Sequence, residues 1–326
     1  MQDQLCLVVT GSAGRFGTLL RLLWPGLVGG ALPVWFARVG GSGVVGWQIG
    51  VDPPAALPQG AVVLHLAATL RGDAAGLAAN TAQTTAVCHA AQRAGARHVF
   101  FASTAAIYAP GPMDIPESDS PGPLTPYGAA KLAAEHAAEA TLCGADGPGL
   151  TLLRIGNVAG ADALLGRHGS MTPGPATLGP ATLGPATLGP ATLGPATWSP
   201  TTLGPATWSP ATLGPMTLDP VPGLPAGPLR SYIGPHALAG VLAGLIERAA
   251  AGQALPRRLN VALPGVVAMG DLLTAAGRDW RFGPPRAGVV PRVGLATGLL
   301  TGLLPLPAAT AQGITADLAS LKGRWP

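Results

Sequence analysis

The sequence predicts an α/β protein built on a doubly wound parallel sheet, with a smaller C-terminal lobe, and three observations carry the prediction. Short apolar runs alternate with leucine- and alanine-rich stretches at helical spacing through the first half of the chain. A glycine-rich turn, Gly11 to Gly17, separates the first such run from the first helical stretch. At 326 residues the chain is long enough to bury one large core, or a core and a smaller lobe.

The elements follow in order. Leu5 to Thr10 is apolar and partly β-branched, a first strand, and Thr18 to Trp24 carries leucines at helical spacing. Val34 to Ala37 and Ala61 to Leu66 read as further strands, Leu77 to Ala94 as a helix and Val99 to Ala102 as a buried strand. Pro126, at a first-turn position, opens a helix to about Leu142, and Leu150 to Ile155 is the next strand. Such alternation implies parallel strands joined by right-handed helical crossovers. Beyond the middle of the chain, His236 to Ala250 reads as a helix, Arg258 to Ala262 as a strand and Asp271 to Ala276 as a short helix. The Gly/Leu/Pro-rich tail has no assignable pattern. The expected division is a dinucleotide-binding domain over 1–162, with 236–262 returning to it, and a substrate lobe from 163–235 and 263–326.

Residues 174–218 hold nine tandem five-residue units of the type G-P-A-T-L, with tryptophan variants at Trp198 and Trp208. A proline every fifth residue rules out helix and removes ladder donors, so an extended or unordered insertion is expected over a β-solenoid. Glycine every fifth residue, not every third, excludes collagen. The last unit runs in phase into ordinary sequence, as a lobe segment duplicated in place would. A longer surface loop is tolerable because closure entropy grows only logarithmically.

Composition narrows the function classes. The formal charge is +4, yet 10% of residues are charged and no basic run or stripe occurs, so nucleic acid is not expected as a partner. Cys6, Cys88 and Cys143 stand far apart without metal-ligand spacing, and no metal is expected. The N-terminus has no basic segment ahead of its apolar run, and Val293 to Leu304 is shorter than the roughly 20 residues of a spanning helix. The expectation is a cytoplasmic chain with a small-molecule substrate and no membrane span, and it leaves a homodimer open.

Two motifs carry chemistry. In Thr10-Gly11-Ser12-Ala13-Gly14-Arg15-Phe16-Gly17, Gly11 permits a tight turn, Gly14 lets backbone approach a pyrophosphate, and Gly17 lets helix pack on strand. The helix N-terminus then faces the anion. This is the turn of a Rossmann dinucleotide site. Where NAD-preferring sites offer an acid to the ribose, the second strand ends in Arg38, which suits a 2′-phosphate, with Arg15 as a second guanidinium. The cofactor expected is NADP or NAD, with NADP favoured. The second motif is Tyr127-Gly128-Ala129-Ala130-Lys131, whose i, i+4 spacing puts phenol and ammonium on one helix face. An ammonium beside a phenol is expected to lower its pKa so that it can shuttle a proton. The chain has only two lysines, Lys131 and Lys322, so a lysine here stands out.

On these residues the chain resembles the extended short-chain dehydrogenases/reductases of the NAD-dependent epimerase/dehydratase family, and is similar to nucleotide-sugar epimerases. Gly11, Gly14 and Gly17 match the family's T-G-x-x-G-x-x-G, and His65-Leu66-Ala67-Ala68 its H-x-A-A. Asn80 matches the asparagine of N-V-x-G-T, and Phe100 to Tyr108 the stretch whose catalytic hydroxyl precedes the tyrosine by four residues, here Thr104 beside Ser103. Tyr127 and Lys131 match the acid/base pair, and Arg154 to Gly160, with Asn157, the L-R-x-x-N-x-x-G segment. Arg230 opens a stretch similar to R-D-Y-I, but Ser231, Gly234 and Ala237 depart from it, which weakens nucleotide-sugar binding relative to cofactor binding.

The resemblance implies catalysis by Thr104, Tyr127 and Lys131. It implies cofactor contacts from Gly11, Ser12, Gly14, Arg15, Phe16, Gly17, Arg38, His65, Ala67, Ala68, Asn80, Tyr127 and Lys131, and substrate contacts from Ser103, Asn157 and Arg230. Arg230 is balanced between holding a phosphate and capping the altered lobe. His89, His136, Glu135 and Glu139 read as solvated or packed helix residues. The implied activity is hydride chemistry on a sugar or nucleotide-sugar hydroxyl or carbonyl. The alternatives are an NADPH-dependent carbonyl reductase and a non-catalytic cofactor-sensing protein.

Overall fold

A computed structural model describes residues 5–24, 33–52, 55–70, 73–144, 147–166 and 215–321. The repeat lies outside them except for its last unit from Pro215 onward.

The core of the molecule is a seven-stranded sheet, parallel at every pairing. Its strands are β1 (Leu7–Thr10), β2 (Val34–Ala37), β3 (Val44–Gly46), β4 (Val62–His65), β5 (His98–Thr104), β7 (Gly149–Ile155) and β12 (Arg258–Val261), in the order β12-β7-β5-β4-β1-β2-β3. The order reverses at β1, so the loops after β1 and β4 flank a crevice at the carboxyl ends of the strands. Alternating side chains feed two separate cores, as a two-sided parallel sheet requires. Leu7 and Val9 pack with Leu19 and Leu20 of α1 (Arg15–Leu23) and Leu238, Leu242 and Leu245 of α4 (Pro235–Ala250). Val8 points the other way, into the cluster of Val87 and Ala91 from α2 (Ala74–Arg93) and Ala134 and Ala138 from α3 (Pro126–Thr141). The alanine-rich faces of α2 and α3 bring these two helices close together.

Helix starts follow their side-chain chemistry. Asp73 caps α2 by accepting from the Gly76 amide, and Thr125 caps α3 by accepting from Gly128, with Pro126 following. α1 has no such side-chain cap.

The smaller sheet has the order β13-β10-β15-β6, from β13 (Val267–Ala268), β10 (Leu229–Arg230), β15 (Arg292–Leu295) and β6 (Asp114–Ile115). Its last strand comes from the segment between β5 and α3, so the smaller lobe borrows chain from within 1–162. Two further pairs are β8 (Asn157–Val158) with β11 (Tyr232–Ile233), and β9 (Met216–Leu218) with β14 (Trp280–Phe282). The final repeat unit is thus a strand of the lobe. The tail without a sequence pattern contains β14, β15, α6 (Gly298–Leu303) and α7 (Ala311–Ala319), while α5 (Met269–Ala275) begins two residues before the expected helix. No helix among the described residues is long and apolar enough to cross a membrane.

Candidate active site

The glycine turn between β1 and α1 has different physical reasons for each glycine. Gly11 has φ +75°, and a Cβ there would stand 2.5 Å from the Ala67 amide nitrogen, so it is glycine twice over. A side chain on Gly17 would collide with the Gly11 carbonyl and Ser12 backbone, which is what lets α1 lie against the turn. Gly14 is exposed, and a Cβ on it would meet only the Gly11 oxygen, at 3.2 Å. The protein's own packing therefore accounts for Gly11 and Gly17 and leaves Gly14 as open backbone. The Ser12 hydroxyl is buried without a hydrogen-bond partner. An α1 N-terminus without a side-chain cap, a bare exposed Gly14 and an unused hydroxyl form a cradle that fits the pyrophosphate of a dinucleotide. Phe16 is half-buried against the large core, and Arg15 donates to the Ala161 carbonyl at 3.0 Å, which ties the turn to the loop after β8.

The loop after β4 faces this turn. Ala67 and Ala68 are half-buried, and the Ala67 backbone abuts Gly11. His65 lies beneath: it is 1% exposed, its Nδ1 2.7 Å from the Thr10 hydroxyl and its Nε2 3.4 Å from that of Thr84. Burial, with the Lys131 charge nearby, lowers its pKa to about 3, so the ring is neutral and braces β1 against β4. Asn80 uses both ends of its amide on Thr69, accepting from its N–H at 2.7 Å and donating to its carbonyl at 3.0 Å. Both residues, expected to touch the cofactor, have their polar atoms hydrogen-bonded to protein neighbours beside the glycine turn.

Across the crevice, β5 ends at Thr104 and continues into a 3-10 turn over Ala105–Ile107. The Thr104 hydroxyl accepts from the Ala106 amide at 3.2 Å and lies near enough to the Tyr127 phenol to act on its ionisation. Sequence reasoning missed why they meet. The bare α-carbon of Gly128 sits against the Ala106 carbonyl, and any side chain there would push α3 away. Ser103, at the same strand end, is buried with its hydroxyl unpartnered.

Lys131 stands one turn from Tyr127, 2% exposed, with Nζ 4.1 Å from the centre of the Phe101 ring. Desolvation lowers its pKa to about 7, against the pull of Glu135. The expected depression of the tyrosine does not occur. Burial raises Tyr127 above the usual phenol value and the neighbouring Thr104 hydroxyl only partly offsets it. The lysine is itself desolvated and its charge is taken up by the Phe101 face and Glu135, so the phenol is held as a proton donor.

Behind the pair lies a buried polar network. Arg154, on β7, meets Glu135 with Nη2 to Oε2 at 2.9 Å, and donates from Nη1 to the Tyr108 hydroxyl at 2.8 Å. Tyr108 in turn donates to Asn260 Oδ1 at 3.0 Å, and Asn260 donates to the Ile115 and Ala296 carbonyls, joining the two sheets. Glu135 is thus packed and ion-paired, while His89 and His136 are exposed.

The remaining residues spread outward. Asn157, half-buried, starts β8. Arg38 is exposed at the end of β2. Arg230 donates to the Leu229 and Val290 carbonyls at 2.8 and 2.9 Å, so in this structure its guanidinium secures the lobe. Among the described residues, no group of three or more His, Cys, Asp or Glu side chains is arranged to hold a metal.

The sheet order and the glycine turn at the first strand–helix junction define an α/β fold of the Rossmann type. Residues 51–174 match the sequence profile of the NAD dependent epimerase/dehydratase family. A UDP-glucose 4-epimerase from Azospirillum brasilense is 43% identical over 95 residues, 29% of this chain and 27% of that protein, so the match spans about a quarter of that relative. Among solved structures, the fold is shared with UDP-glucose-4-epimerase from Stenotrophomonas maltophila with bound NAD and formylated UDP-arabinopyranose, at TM-score 0.67 and 19% identity, covering 96% of both chains. It is shared too with an NAD dependent NDP-hexosamine 5,6-dehydratase, TunA, at TM-score 0.68 and 17% identity, covering 98% of both chains. The match over residues 51–174 agrees with the resemblance read from the motifs, and the fold is that of the epimerase and dehydratase structures just named.

Proposed function

We propose that the chain is an NAD(P)-dependent epimerase/dehydratase-type oxidoreductase acting on a hydroxyl or carbonyl of a nucleotide sugar. The observation that carries this reading is the placement of Tyr127 at the start of α3 beside Thr104 at the end of β5, with Lys131 buried one turn further on, across the crevice from an open glycine turn. When bound, a nicotinamide cofactor supplies the hydride acceptor and donor.

In this reading the glycine turn, Ser12, Ala67, Ala68 and Lys131 hold the dinucleotide, while His65 and Asn80 keep the loops in place. Tyr127 gives its proton to a substrate carbonyl oxygen, or takes one from a hydroxyl once deprotonated. Thr104 fixes the phenol and hydrogen-bonds the same oxygen, and Ser103 and Asn157 line the adjoining substrate position. The parallel sheet and its helices form the cofactor domain, and the smaller lobe, built on β6, β10, β13 and β15, covers the sugar nucleotide. The relatives named above, two UDP-glucose 4-epimerases and an NDP-hexosamine dehydratase, support a nucleotide sugar as substrate class.

Exposed Arg38 supports NADP over NAD, since a guanidinium suits a 2′-phosphate. The same residue keeps an NADPH-dependent carbonyl reductase as a second reading. Incubation with a panel of UDP- and dTDP-sugars, followed by product NMR and nicotinamide absorbance, separates the two. Epimerisation or dehydration gives product with no net absorbance change, and a reductase consumes NADPH in step with product. Tyr127→Phe should bind cofactor and lose turnover; unchanged turnover would remove the tyrosine from the chemistry.

A further inference from the structure

We infer that Glu135 and Arg154 form a buried positioning pair that sets the charge on Lys131, and through it the grip of the site on its cofactor; the second half rests on the function proposed above. Tyr127, Lys131 and Glu135 follow one another at four-residue intervals on one face of α3. Glu135 is 1% exposed and Arg154 2%, and the pair is bidentate, with Nη2 to Oε2 at 2.9 Å and Nε to Oε1 at 3.3 Å. A buried ion pair seldom stabilises a fold more than apolar residues of the same shape would. In a chain so poor in charge, two charges placed in the core beside a third ask for a role other than stability.

The geometry supplies one. Arg154 cannot turn away, because its Nη1 is held by the Tyr108 hydroxyl and the Glu117 carbonyl at 2.8 and 3.2 Å. The groups facing Lys131 are Tyr127 and Glu135 from α3, His65 from β4, the Phe101 ring from β5 and, behind Glu135, Arg154 from β7. His65 is neutral and Tyr127 is held protonated, which leaves Glu135 as the anion among them. Burial brings Lys131 down to about 7, so a neighbouring charge decides between ammonium and amine at working pH. Glu135 favours the ammonium, and Arg154 limits that pull by sharing the carboxylate.

The two single variants should therefore move Lys131 in opposite directions. Glu135→Gln removes the anion and leaves Arg154 uncompensated, so Lys131 titrates lower; Arg154→Gln leaves the carboxylate to Lys131, which titrates higher. Shifts of about one pH unit or more are expected. Tyr108→Phe changes no charge and should leave the titration in place. The chain's two lysines make this a direct measurement: side-chain carbon-13 NMR of lysine-labelled full chain shows two titrating signals, and Lys322→Arg assigns them. The double variant Glu135→Gln/Arg154→Met removes both members of the pair together, and its Lys131 should titrate between wild type and Glu135→Gln. It serves if a single variant fails to fold.

NADH and NADPH fluorescence titrations against pH then read cofactor affinity, whose alkaline limb should follow the lysine in each variant. An ordinary lysine value for Lys131 in the wild type would overturn the inference. So would single variants that shift it in the same direction, a double variant that leaves it at the wild-type value, or a binding limb that ignores it. Opposite lysine shifts in a wild-type-like fold that binds neither nucleotide at any pH would instead refute the proposed function and leave the charge-setting role standing.

Discussion

Two glycines three residues apart should respond to alanine in opposite ways. At Gly11, φ is +75°, and placing an L-residue there costs about 1–2 kcal/mol. The new Cβ would also lie 2.5 and 2.7 Å from the Ala67 nitrogen and α-carbon and 2.8 Å from the Leu66 carbonyl carbon, all backbone. Forced movement of that kind adds about 1–3 kcal/mol, so Gly11→Ala should lose roughly 2–5 kcal/mol of stability. At Gly14, φ is −72° and the nearest atom is one carbonyl oxygen at 3.2 Å, so alanine asks only that this oxygen give by a few tenths of an ångström. Exchanging glycine for alanine at a helix N-cap costs about 1 kcal/mol or less. Its methyl group would nevertheless stand where a pyrophosphate approaches the turn, and dinucleotide affinity should fall tenfold or more, about 1.4 kcal/mol. Urea unfolding gives the stabilities and calorimetric titration with NAD and NADP gives the affinities. A Gly14→Ala chain that binds dinucleotide as tightly as wild type, or a Gly11→Ala chain within 1 kcal/mol of wild type, would refute the division of labour between the two glycines.

Other outcomes follow from the same geometry. Gly128→Ala should push α3 off the Ala106 carbonyl and part Tyr127 from Thr104, lowering kcat far more than cofactor affinity in steady-state and binding assays. His65 and His98 have folded pKa values of about 3 and about 4, below the unfolded value of 6.5, so the stability they confer as neutral rings is present above pH 6.5 and is lost on acidification. Each should cost about 2 kcal/mol by pH 5, which a Tm series from pH 7 to pH 4 would detect. Lys131 has a folded pKa of about 7 against 10.5 unfolded, so its burial penalises the fold most below pH 7, and the penalty fades toward pH 10.5. Lys131→Met should accordingly raise Tm at neutral pH while weakening cofactor binding, and a lowered Tm would contradict the assigned desolvation.

The parallel sheet was legible in the sequence because buried strands and amphipathic helices write their periods plainly: Val34–Ala37 and Pro126–Thr141 lie where pattern and proline placed them. Strand β3 was not, since two valines and a glycine, two of the three exposed, carry no period to read. The tail failed for a related reason, as β15 and α6 fall within one continuous apolar stretch, Val293 to Leu304, where helix and strand look alike. Around the crevice, residue types and spacing singled out Thr104, Tyr127 and Lys131, but spacing says nothing of desolvation. The tyrosine was expected to be lowered and is raised. His65, at the end of β4, and Asn80, on α2, spend their polar atoms on Thr10, Thr84 and Thr69, which the motifs did not foretell, because a motif records a position and not a hydrogen bond. The signals for Glu135 were present: an acid four residues beyond a scarce lysine, and an arginine inside the apolar strand Leu150 to Ile155.

Native mass spectrometry of the purified full chain with added NAD and NADP tests the central claim most directly, because it asks whether the glycine turn is a dinucleotide site before any substrate is known. The account expects one dinucleotide per chain in the wild type, its retention in Tyr127→Phe and its loss in Gly14→Ala. A wild-type chain that takes up neither nucleotide, or a Gly14→Ala chain that holds one as firmly as wild type, would contradict it.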